Sequence, residues 1–179
     1  MATRLADDIL GVFIGGLLAI LGGLIAQLYQ AHRNDLAAKR GAHMNVIRGC
    51  QLGISFAKDW VERLELTGTT DNQILIEIKR ECSDLYKSTQ IDLRSAGDSI
   101  SGSLQNMVVD YCKKLYEIYW KDYGNQASGP LTTEMYLKLK ADLESVISLG
   151  DVANKQLSEE RSKLVDLRWL RQHHFHSSV

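Results

Sequence analysis

The 179-residue chain sets 21 Lys and Arg against 22 Asp and Glu, a formal net charge of −1. That balance excludes broad electrostatic capture of nucleic acid, so direct nucleic-acid binding is not expected. Three cysteines (Cys50, Cys82 and Cys112) show no CxxC or Cys/His ligand spacing, so neither a zinc site nor a disulfide framework is predicted. No cofactor is expected.

Residues 1–8 form a short polar tail with Asp7 and Asp8 at its end. Residues 9–29 read as a transmembrane helix. Eighteen uncharged apolar residues from Ile9 to Ala26 cover about 27 Å at 1.5 Å each, close to the hydrocarbon thickness of a bilayer. Seven of the eighteen are Gly or Ala, and at about 100° per residue all seven fall within an arc of roughly 140°. Gly11, Gly15, Ala19 and Gly23 step along that arc four apart, with Gly22 beside them. Such a groove lets a second helix approach closely in lipid, and these five residues are the expected oligomer-packing set.

The alternatives are weaker. A signal peptide has a basic start and an A-x-A-like cleavage site, whereas Asp7 and Asp8 adjoin this run. A water-soluble core helix would carry five glycines at about 1 kcal/mol each. A span with no lateral partner is the plainer membrane reading. Arg33, Lys39, Arg40 and Arg48 follow the run, against Arg4 before it. The positive-inside rule therefore places residues 1–8 outside and the rest in the cytoplasm, at the inner (cytoplasmic) membrane.

Residues 30–172 are expected to form a cytosolic four-helix bundle, and 173–179 a flexible tail. The fold class is all-α, with long first and last helices. Ile47, Cys50, Ile54, Ala57, Val61 and Leu64 repeat at 3-4 spacing, which predicts that the first helix runs from the bilayer to about Leu66, with any break near Gly41. Thr70 and Gln73 have capping-box spacing and open a second helix with Leu75, Ile78, Cys82 and Leu85 inward. Arg94 to Ser103 reads as a loop rich in Ser and Gly. Ser103 starts a third helix with Leu104, Val108, Tyr111, Leu115 and Ile118 inward. Tyr116, Tyr119, Trp120 and Tyr123 give it an aromatic end; aromatics at this spacing are core and rim more often than a nucleotide platform. Thr132 or Thr133 caps a last helix carrying Leu139, Leu143, Val146, Ala153, Leu157, Leu164 and Leu167. It is expected to reach Leu170, with Gly150 and Glu160 as weak places in its stripe. The cysteines lie on these stripes and read as small buried hydrophobes.

No nucleophile triad, paired carboxylates or phosphate loop can be assigned, and the chain is not expected to be an enzyme. The chemically suggestive stretch is Arg168-Trp-Leu-Arg171-Gln-His173-His174-Phe-His176. Arg168 to His173 and Arg171 to His176 both have Arg-x4-His spacing, which resembles the Arg-x4-6-His motif of HEPN-type helical ribonucleases. The resemblance implies acid–base chemistry on RNA at a dimer interface. Trp169 follows Arg168, where the family's motif usually carries a polar residue.

A membrane helix, a helical domain and an Arg/His signature near the end of about 180 residues together resemble the divergent-HEPN accessory membrane proteins of type VI-B CRISPR systems. That resemblance implies an oligomeric membrane pore in antiphage defence. The expected function is a homo-oligomeric membrane-anchored protein, pore-forming or membrane-perturbing, whose partners are itself and the bilayer. A channel here would be Gly-lined or hydrophobically gated, since Gln27 and Gln30 are the only polar lining the span offers. Two alternatives stand: a membrane-tethered adaptor for a cytosolic effector protein, and a HEPN-like ribonuclease.

Overall fold

The structure is a computed structural model that describes residues 2–67, 72–121, 123 and 131–164, with side chains described from Phe13 onward and not at Asn72. It is all-helical: α1 (Ala2–Thr67), α2 (Asn72–Ala96), α3 (Gly102–Trp120) and α4 (Thr133–Lys163), with no strand among the described residues. The chain divides into two compact units. One comprises residues 1–38 with 166–179, the other residues 39–165.

In the first unit the described part is helical throughout, and from Phe13 to Leu28 its side chains face outward, with Phe13 and Leu28 both 71% exposed. It is long and apolar enough to cross a membrane by length and composition.

In the second unit the remainder of α1 joins α2, α3 and α4 around one apolar core. Neighbouring helices run antiparallel. Along α1 and α4, His43 meets Glu160, Glu65 meets Lys140, and the Tyr136 hydroxyl donates to the Leu64 carbonyl at 2.9 Å. Trp60 faces Glu81 between α1 and α2, and Tyr86 lies 5.0 Å from Tyr116 between α2 and α3. The stripes explain why. Ile47, Cys50, Ile54, Ala57 and Leu64 are buried, as are Leu104, Val108, Tyr111, Leu115 and Ile118. Each Leu or Ile sealed this way contributes about 1.5–3 kcal/mol of burial.

The helix ends depart from the sequence reading. Nothing breaks α1 at Gly41. Thr70 lies outside the described residues, and α4 ends at Lys163 with Leu164 as its C-cap, short of the expected reach to Leu170. The expected loop from Arg94 to Ser103 is narrower: α2 runs on to Ala96, and a single 3-10 turn covers Gly97–Ser99. Gly97 ends α2 at φ 46°, a left-handed conformation that glycine reaches without a Cβ penalty. Gln105 donates to the carbonyls of Gly97 and Ile100, both at 2.9 Å, which ties that turn to α3. Of the two candidate caps for α4, Thr132 is the one used, accepting from the Met135 amide at 3.4 Å.

Candidate functional site

Glycine marks two kinds of place. A Cβ at Gly150 would sit 2.6 Å from Ile54, and one at Gly49 would sit 2.9 Å from the Thr89 hydroxyl; Gly53 meets the Tyr111 ring in the same way. These glycines let helices of the second unit touch. A Cβ at Gly15, Gly16, Gly22 or Gly23 would meet nothing within 4 Å. The small-residue face of the apolar helix therefore has no partner among the described residues. Of the expected packing set, Gly15, Ala19, Gly22 and Gly23 lie on exposed helix, and Gly11 lies where only the backbone is described. Ile14, Leu17, Leu18, Leu21 and Leu24 are exposed as well, an arrangement that costs heavily in water and nothing in lipid.

In the second unit polar chemistry concentrates at two points. His43, fully buried, presents Nδ1 to the Lys39 carbonyl at 2.8 Å and Nε2 to Glu160 Oε1 at 3.3 Å. The Glu160 carboxylate also accepts from the Ser101 amide at 3.0 Å and the Ser101 hydroxyl at 2.6 Å. Burial works against its charge, but the bonds from Ser101 and His43 prevail and hold its carboxyl below the ordinary range. Ser101 donates to the acid, while His43 bonds the acid and a carbonyl. The imidazole is bonded to Glu160 and the Lys39 carbonyl rather than to the Ser101 hydroxyl, which is not the order of a nucleophile triad. Glu160 instead caps the N-terminus of α3 from another helix. Next to it Arg40 donates to the Leu164 carbonyl and closes the end of α4.

The second point is Asp142, bonded by Lys114 at 2.8 Å, Lys121 at 2.6 Å and the Tyr123 hydroxyl at 2.8 Å. Burial opposes ionisation, yet these three donors lower its carboxyl pKa. Beside it Tyr86, Tyr116, Tyr119 and Trp120 form a run of rings with centroids 5.0–6.3 Å apart. Trp120 is 64% exposed, whereas Tyr111 and Tyr123 are buried. The aromatic end thus splits into core and surface.

The thiols of Cys50, Cys82 and Cys112 are buried and unpaired with one another, and burial pushes each up to about 12. Such thiols are poor nucleophiles. No group of three His, Cys, Asp or Glu suited to a metal ion occurs among the described residues.

Arg168, Arg171, His173 and His176 lie outside the described residues. Sequence reasoning missed His43, Ser101, Lys121 and Asp142, whose partners are distant in the chain; only Glu160 stood out, as an interruption in an apolar stripe. No protein-family model matches the sequence, and neither a curated protein nor a solved structure matches it.

Proposed function

We propose that this protein is a membrane-anchored homo-oligomer in which the helix around residues 13–29 crosses the inner membrane and packs against copies of itself through Gly15, Ala19, Gly22 and Gly23. The observation that carries the reading is a glycine contrast: Gly49, Gly53 and Gly150 are filled by side chains of other helices, whereas Gly15, Gly16, Gly22 and Gly23, like the surface glycines Gly41, Gly97 and Gly102, meet nothing within 4 Å among the described residues. In lipid, association gains dispersion contact where side chains are smallest. The charge asymmetry around the span puts residues 30–179 in the cytoplasm. The pore form of this reading, and a place beside an RNA-guided nuclease in antiphage defence, rest on the resemblance described above.

The test is crosslinking and light scattering of the full chain in mild detergent. Gly15→Leu with Gly23→Leu is expected to weaken association at least tenfold, about 1.4 kcal/mol, while helix content is unchanged. Oligomers of wild-type size in the double variant, or a strictly monomeric wild type, would overturn the proposal.

A further inference from the structure

The exposed face of α2 is divided by charge. On its α1 side stand Glu81 and Asp84, joined by Asp59 of α1 along a seam floored by Leu52, Phe56 and Leu85. Leu52 is 53% exposed. Arg63, stacked 5.0 Å from the Trp60 ring, is the cation at the edge of that seam. On the α3 side Arg80, Lys87 and Arg94 recur every seven residues, a spacing that keeps them on one stripe. All three are exposed. Their stripe runs along the outer edge of α2 on the side of Tyr86, whose ring leads to those of Tyr116, Tyr119 and Trp120 on α3. Among the described residues, no ion pair uses Asp59, Glu81, Asp84, Arg80, Lys87 or Arg94.

Two apolar seams of opposite predominant charge therefore lie on neighbouring edges of the same unit: Asp59, Glu81 and Asp84 edge one, and Arg80, Lys87 and Arg94 edge the other, where Glu117 and Lys121 of the α3 end offset each other. They also lie at one level: Trp60 meets Glu81, and Tyr86 meets Tyr116, within about a turn and a half of α2. We propose that the acidic α1–α2 seam of one copy receives the basic aromatic α2–α3 seam of the next. The contact is heterologous, using a different face on each partner, so it propagates from copy to copy. Because the two faces share a level, it calls for rotation without a step along the helices, the condition for a closed ring. Opposite charge at the rim sets the register, and the Leu, Phe, Tyr and Trp surfaces supply the burial. The inference rests on the homo-oligomer reading above and assigns its contacts outside the bilayer.

The test places one cysteine on each seam of the full-length, detergent-solubilised chain: Ser88→Cys on the acidic side and Lys113→Cys on the basic side. A mixture of the two single variants is expected to give disulfide-linked heterodimers, and either variant alone to give at least about fivefold less. Within the doubly substituted chain a ladder is expected. Glu81→Arg with Asp84→Arg should reduce that ladder at least about tenfold, and adding Arg80→Glu with Lys87→Glu should restore it. Glu81→Gln with Asp84→Asn, a milder change, should lower it partway. If wild-type oligomers persist by light scattering while the mixture yields no heterodimer, or the ladder ignores the charge reversal, this seam pairing is wrong and the span reading stands. If no oligomer forms at all, the fault lies with the span reading.

Discussion

Gly150 of α4 sits against α1 and α3, with Ile54 and Tyr111 pressed against the place a side chain would occupy. Gly150→Ala is expected to destabilise the fold by about 1–3 kcal/mol, read as a lower melting temperature, whereas Gly22→Ala should leave that melt unchanged. Equal effects would contradict the glycine contrast. Asp142 carries a pH signature. Its carboxyl is depressed from the ordinary 3.8 in the folded chain, because its donors outweigh its burial. Such a group favours folding above its ordinary range, and the benefit fades as pH falls through 3.8 toward the lower folded value. Asp142→Asn should therefore cost about 1–3 kcal/mol at pH 7, with the gap to wild type closing as pH falls below about 4. A gap of constant size from pH 7 to pH 3 would refute this. Neither residue's role was legible in the sequence: Gly150 reads as a flaw in a helix until Ile54 is placed against it, and Lys114 stands 28 residues from Asp142.

At the scale of elements, the apolar 3-4 spacing carried most of the information. The stripes from Ile47 to Leu64 and from Leu104 to Ile118 face the core as expected, since period alone decides which side of a helix is buried. Ends were less legible, because they depend on groups brought from elsewhere. Ser101 begins α3 without capping it through its own side chain, and Glu160 of α4 takes the orphan amide instead. Glu160→Ala is expected to cost about 1 kcal/mol and to speed hydrogen exchange at the start of α3, with the centre of α4 still protected. Uniform loss of protection along both helices would argue against a cap.

For the whole molecule, the division at residue 38 carries its own expectation. A fragment spanning 39–165 contains every core residue among those described, so it should fold in water without detergent and melt cooperatively. A fragment that stays helical but melts without a transition would show that its packing needs the rest of the chain. Composition sets one part of the sequence, greasy and small, against another that is striped. It could not show the split of charge across α2, whose meaning depends on which neighbours flank each side, although the Arg80, Lys87, Arg94 spacing was the available signal. The sealed thiols of Cys50, Cys82 and Cys112 have a practical consequence. Sulfur-directed spin labels or fluorophores pass over the native chain and settle only where an experimenter installs a new attachment point. Distances between labels placed at chosen positions can therefore be measured by spectroscopy on an otherwise unaltered protein.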